Sequence, residues 1–373
     1  MTGVTLSESG WRRVVEVADQ LVSNGRLPAL SIVAGGREGV AQAFSAGRRT
    51  VSGSEPVTAN TIYLVASITK PLVAMAALQQ VEHGVLTLGD RVTDYLPEFG
   101  RHGKYGVEIR HLLTHTSGLP DMLPQNQELR QANAPLSLFL EGVYDCPLAF
   151  APGRAVQYQS MGFLVLAEIL NRVTGKPLSR LLAEEFFVPL GMTSTALGAP
   201  KEWFTGATRT VDRIAEVQLP EAQLQGHGWN WNSGYWRQLG APWGGLLTTA
   251  GDLAAYARML LLGGVTPGGR RLVAEATLAA ATRNQLECMK DVPEDERRCR
   301  PWGLGWRLHW PAHSANFGDL LGTRTYGHWG ATGTVLWIDP VAEAFAVILT
   351  TQPQEPAGGQ LARLSNLIAA AWR

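Results

Sequence analysis

Strand-like segments at both ends of this 373-residue chain enclose a helix-rich middle, and that order limits the possible folds more than any single motif does. Near the start, Leu30-Ser-Ile-Val-Ala34 and Val40-Ala-Gln-Ala-Phe44 read as short strands around Gly35-Gly36, a hairpin signal. Ile62-Tyr-Leu-Val-Ala66 is a further extended piece. Near the end, Gly303–Trp310, Gly333–Ile338 and Ala344–Thr350 read as strands. Apolar positions recur at helical spacing in Trp11–Leu21, Ser67–Glu82, Met161–Arg172, Leu178–Phe187, Thr248–Leu262 and Ala362–Trp372. Thr249 or Asp252 starts the helix at Thr248–Leu262, and Gly263-Gly264 stops it. The expected organisation is an α/β lobe assembled from residues 1–83 and 240–373, with a helical lobe, residues 84–239, inserted between. No internal repeat or low-complexity tract is present.

Composition removes several functional classes. Apolar residues make up 45%, ordinary for a globular protein. Lys+Arg and Asp+Glu both number 32 and no basic run occurs, which argues against a nucleic-acid partner. No stretch approaches the ~20 apolar residues of a membrane span, and the N-terminus lacks a signal-peptide pattern. The expected location is the cytoplasm. Three cysteines do not make a disulfide framework. Cys288 and Cys299 flank the charged stretch Lys290–Arg298, so they are either a bridge or, as the context favours, two free thiols; Cys146 stands apart.

The chemistry starts at Ser67-Ile-Thr-Lys70. On a helix, residues three apart share a face, so a hydroxyl and an amine fall within hydrogen-bond reach. Pro71 fits the first turn of a helix, placing Ser67 at its N-terminus, where free N–H groups and the dipole favour an anion. The chain has five lysines against twenty-seven arginines, so lysine is not its default cation. Arginine cannot serve as a base there, whereas a desolvated lysine can lose its proton and activate the serine. Alone, Ser-x-x-Lys is common by chance and more often means a capping serine with a solvent-facing lysine.

Two further segments give it context. Tyr158-Gln-Ser160 sits on a loop before the helix that starts near Met161, where a phenol can relay a proton or simply pack in the core. Gly327-His328-Trp329-Gly330-Ala331-Thr-Gly333 lacks the Gly-Lys-Ser/Thr ending of a phosphate loop and runs into a strand. Glycine at 330 suits close approach of substrate to an edge strand, and the Ala331 N–H can join that of Ser67 as an oxyanion donor.

These three elements, separated by 91 and 170 residues, resemble the serine β-lactamase-like and penicillin-binding family. Within it, the chain looks most like the class C β-lactamase branch, which uses Tyr-x-Asn and includes carboxylesterases and D-aminopeptidases. His111-Leu-Leu-Thr-His-Thr-Ser-Gly-Leu119 and Gly244-Gly-Leu-Leu-Thr-Thr-Ala-Gly-Asp-Leu253 extend the resemblance over most of the chain. It implies a mainly antiparallel sheet flanked by helices, with Ser67 as nucleophile and Lys70 and Tyr158 as acid/base pair. By the same resemblance, His328 takes the place of the third-motif lysine, and no cofactor is implied.

Two departures bear on substrate. Ser160 stands where β-lactamases usually carry asparagine, and His328 is a weaker, pH-dependent carboxylate anchor than lysine. Both favour esters over β-lactams. The expected activity is a carboxylesterase on small esters, with a β-lactamase or D-amino-acid peptidase as the alternative amidase. A non-catalytic β-lactam- or peptide-binding protein and an acyltransferase are the remaining readings, and the oligomeric state is not legible.

Other residues carry less. His111 and His115 lie four apart, but no third ligand follows at metal spacing, so a structural role is expected. No Gly-x-Ser-x-Gly or His-Glu-x-x-His occurs. The stretch Gly226–Gly245 gathers Trp229, Trp231, Tyr235, Trp236 and Trp243, and Trp302, Trp306 and Trp310 follow. Core packing and the wall of an apolar pocket both account for such density.

Overall fold

The computed structural model describes residues 5–224, 228–309 and 317–372. Its first helix, α1 (Glu8–Ser23), is N-capped by Ser7, whose hydroxyl accepts the Gly10 N–H at 3.1 Å. Strands β1 (Ala29–Gly36) and β2 (Gly39–Gly47) form the expected hairpin. Then come β3 (Tyr63–Leu64), α2 (Thr69–Glu82), α3 (Met161–Thr174), β4 (Ala196–Leu197), β5 (Leu246–Thr248) and α4 (Ala250–Leu261). The chain ends with β6 (Arg307–Leu308), β7 (Tyr326–Gly330), β8 (Thr334–Asp339), β9 (Ala344–Thr350) and α5 (Gln354–Ala371).

Six strands make one antiparallel sheet in the order β2-β1-β9-β8-β7-β6. Both faces are covered, and successive side chains in a strand point to opposite faces. Leu30 and Ile32 of β1, with Trp337 of β8 and Ile348 of β9, pack against Trp11 and Val14 of α1 and Leu364 of α5. Val33, Leu336 and Val347 face the other way, into the core that holds Leu253 and Ala257 of α4. Helix α2 runs through that core with every residue from Thr69 to Gln80 buried, the polar Thr69, Lys70, Gln79 and Gln80 included.

The structure departs from the sequence expectations at several ends. The strand expected over Gly303–Trp310 shrinks to β6, and Trp310 lies outside the described residues. The last helix starts at Gln354 rather than Ala362, because Gly358 and Gly359 in its second turn are poor helix formers that break the pattern. The middle of the chain also contributes a strand, since β4 joins β3 and β5 in a three-stranded sheet beneath the serine.

Candidate active site

Between β3 and α2 lies one 3₁₀ turn, Ala66–Ile68, and it carries Ser67. Ala66 has φ 46°, a left-handed conformation that costs free energy in a residue with a Cβ. Thr69 holds the bend from inside: its hydroxyl donates to the Ala66 carbonyl at 2.6 Å and accepts the Leu246 N–H at 3.0 Å. Pro71 is the third residue of α2, within the first turn. Ser67 is partly exposed while its neighbours on both sides are buried.

The Lys70 side chain is wholly buried, and its amine reaches the Ser67 hydroxyl at 3.1 Å and the Trp243 carbonyl at 3.0 Å. Burial lowers its pKa to about 7; Asp121 opposes that shift and Arg307 adds to it. Tyr158 hydrogen-bonds Ser67 and lies with its ring centroid 4.7 Å from the Lys70 amine. Burial pushes the phenol up, so it stays protonated at neutral pH. Ser67, Lys70 and Tyr158 thus converge, although 88 residues separate Lys70 from Tyr158.

The segment after β7 is stitched to the serine turn. The Thr334 hydroxyl donates to the Val65 carbonyl at 3.0 Å, and that of Thr332 to the Leu64 carbonyl. A Cβ on Gly330 would stand 2.2 Å from the Val65 oxygen. Gly330 admits the protein's own backbone rather than a substrate, and among the described residues β6 pairs with Tyr326 and Gly327 alone, so β7 carries no outer strand at His328–Gly330, as expected of an edge. Ala331 follows, exposed, in the turn between β7 and β8.

Two further expectations change. His328 is 1% exposed, and burial, Arg307 and Lys70 together push it well below the usual histidine range, so it is neutral. Its Nδ1 lies 2.7 Å from the Trp329 carbonyl and so carries the hydrogen, which leaves Nε2 as a buried acceptor with no partner. A titrating carboxylate anchor is therefore absent at 328. Ser160 is 2% exposed and donates its hydroxyl to Asp121 at 2.6 Å, so it does not face substrate as an asparagine amide would.

Sequence reasoning missed a cation beside Tyr158, Arg307. Its guanidinium stacks 3.6 Å from the Trp329 ring centroid, 4.7 Å from that of Trp302 and 5.6 Å from that of Tyr158. Burial brings it down to about 10, and its Nε is buried with no partner among the described residues. Among the described residues no carboxylate pairs with it. The signal was an arginine in the short apolar strand Gly-Trp-Arg-Leu. Asp121 was also missed, two residues past the His111–Leu119 segment.

The tryptophan-rich stretch resolves mostly into packing. Trp229 and Trp236 pack against each other at 5.5 Å and both against the Arg130 guanidinium, with ring centroids at 4.5 and 4.6 Å from it, and Trp243 is buried against Phe139. Trp306 is in the core. Among the described residues, Trp302 stacks on Tyr158 and Trp329 on Arg307; Gly226 and His227 lie outside the described residues. Nδ1 of His111 accepts the Glu108 N–H and Nδ1 of His115 accepts the Gln159 N–H, and among the described residues no metal-binding cluster forms. Cys146, Cys288 and Cys299 are free.

The six-stranded antiparallel sheet, with a serine and a buried lysine meeting at the tip of its central helix, defines a serine hydrolase of the β-lactamase and penicillin-binding fold. The family model described as Beta-lactamase matches residues 14–371, and the chain belongs to the β-lactamase family. A protein of Salmonella agona (strain SL483), named "Putative D-alanyl-D-alanine carboxypeptidase", is 30% identical over 323 residues, covering 80% of this chain and 71% of that one. A penicillin-binding protein homologue from Caulobacter crescentus has a similar structure, with a TM-score of 0.79 at 22% identity over 99% of this chain and 100% of that one. A family VIII carboxylesterase gives 0.77 at 20% identity, over 97% and 98%. Among the described residues, no helix is long and apolar enough to cross a membrane.

Proposed function

We propose that the chain hydrolyses small esters through an acyl-enzyme on Ser67. The main support is the Lys70 amine, fully buried 3.1 Å from the serine hydroxyl and lowered by burial to about 7. Uncharged, it takes the serine proton as the oxygen attacks the ester carbonyl. The N–H groups of Ser67 and Ala331 hold the tetrahedral anion, an assignment supported by the stitching of residues 332–334 to residues 64–65. Tyr158, protonated, delivers a proton to the departing alkoxide, and the same groups in reverse activate the water that frees the acid. Ser160, committed to Asp121, offers no amide to a β-lactam side chain, and neutral His328 offers no cation; both favour esters.

We also propose the two-lobe division at residues 83/84 and 239/240. Ser67, Lys70, Arg307 and His328 then come from one lobe, and Tyr158, Ser160 and Asp121 from the other, with the reacting carbonyl between them.

Arg307 favours a second reading. An arginine without a carboxylate partner beside Tyr158 suits a leaving group that carries a carboxylate, as in a D-amino-acid peptide. The test is a panel of short p-nitrophenyl esters, a chromogenic cephalosporin and a D-alanyl-D-alanine peptide, run on the wild type and on Ser67→Ala. Fastest turnover of esters, lost in Ser67→Ala, supports the proposal. Faster cephalosporin or peptide turnover overturns the ester preference, and activity that survives Ser67→Ala overturns the acyl-enzyme.

A further inference from the structure

We infer that His115 is the positioning residue that holds Tyr158 in register with Ser67 and Lys70. The inference rests on the acid/base role proposed for Tyr158. Two backbone amides flank the tyrosine, and both end on His115. The Gln157 N–H donates to the His115 carbonyl at 2.9 Å, and the Gln159 N–H donates to its Nδ1 at 3.0 Å. One residue thus supplies an acceptor to the position before the tyrosine and to the position after it. Its ring centroid stands 4.7 Å from that of Tyr158 and 4.1 Å from that of Trp302.

His115 is 0% exposed and has φ 60°, the left-handed region that a side chain disfavours. Backbone strain kept at a buried, fully packed position needs surroundings that enforce it. Those surroundings are present: Thr116 accepts the Gly153 N–H at 2.8 Å, Ser117 bonds the Gln159 side chain, and Gln159 in turn reaches the carbonyls of His111 and Leu112. Residues 111–117 therefore clasp residues 153–159 from one side.

The ring itself has no proton-transfer role. Burial, with the Arg307 guanidinium adding to it, holds it neutral. With Nδ1 occupied as an acceptor, the hydrogen sits on Nε2, which has no partner among the described residues. No lone pair remains to take a proton from substrate or serine. His115 acts through Tyr158.

The test uses His115→Ala, His115→Asn, Tyr158→Phe and the double variant, with an alkyl ester and a p-nitrophenyl ester of one acyl group. Asparagine places Oδ1 as many bonds from Cα as Nδ1 of histidine and tolerates the left-handed region. The readout is kcat/KM, which reports acylation. p-Nitrophenolate leaves without a proton, whereas an alkoxide needs one. His115→Ala should lose about 10²-fold on the alkyl ester and under about 10-fold on the p-nitrophenyl ester, within the range of general acid catalysis. His115→Asn should recover most of that loss, and the double variant should be no slower than Tyr158→Phe. Because the ratio of the two rates does not depend on how much protein folds, a destabilised variant still answers. Equal losses on both esters, additive losses in the double variant, or His115→Asn as slow as His115→Ala would overturn the inference. A Tyr158→Phe enzyme that keeps full alkyl-ester turnover would instead sink the acid/base role on which it rests.

Discussion

The Lys70 amine donates to the carbonyl of Trp243, 173 residues further along the chain, at 3.0 Å. That bond pins the amine beside Ser67 whichever way the proton between them lies. Charged, Lys70 donates to the serine; neutral, it presents a lone pair to the serine hydrogen.

Turnover that requires the neutral amine should rise with pH up to a limb at about 7, tenfold per unit below it. Asp121 is the charge that opposes this lowering, so Asp121→Asn should move the limb to lower pH. Profiles of kcat/KM for the two enzymes check both statements; a limb that stays in place in Asp121→Asn removes the carboxylate from the account.

Lys70→Met should abolish turnover and stabilise the fold. A lysine pKa below its unfolded value of ~10.4 means that the unfolded chain holds a proton the native chain has released. Native stability therefore rises with pH between about 7 and 10 and is depressed below it. Methionine removes that dependence. Its Tm should exceed the wild type's by at least about 2 °C at pH 7, and the gap should narrow at pH 9.

Arg307→Gln separates the two substrate readings. For esters with a free carboxylate on the leaving group, kcat/KM should fall at least about 10-fold, one charge-assisted hydrogen bond's worth. Neutral esters should change by less than about 3-fold. Equal losses on both would mean that the guanidinium only packs against Trp329 and Trp302.

Gly330→Ala should cost about 1–3 kcal/mol, because its Cβ would meet the Val65 oxygen at 2.2 Å and backbone must shift. The displaced turn carries Ala331, so kcat should fall more than KM rises. Chemical denaturation beside steady-state kinetics reads both effects.

What the sequence revealed of the site follows from how each contact arises. Ser67 and Lys70 are three residues apart, and local geometry alone brings them together. Tyr158 was found through the order of motifs, not by distance along the chain. Arg307 was hidden because β6 is two residues long and owes its place to pairing with Gly327 and Tyr326. His328 and Ser160 were expected to face substrate, but their burial and partners depend on tertiary packing that the sequence does not display. The hairpin at 35–39 and the Thr249 cap were legible because both are local devices, the threonine accepting the Asp252 N–H at 3.1 Å. The start of α5 was not, because two glycines inside a helix look like a loop until packing overrides propensity.

The sheet's pairing also sets a schedule for synthesis. β1 is buried along nearly its whole length, yet its second neighbour is β9, paired Leu30 to Thr350. While the ribosome makes the intervening three hundred or so residues, at roughly 5–20 per second, the hairpin waits with one sticky border unsatisfied. A nascent chain stalled before β9 would expose that border to its neighbours, so premature termination in this stretch should yield insoluble fragments and not a shortened enzyme.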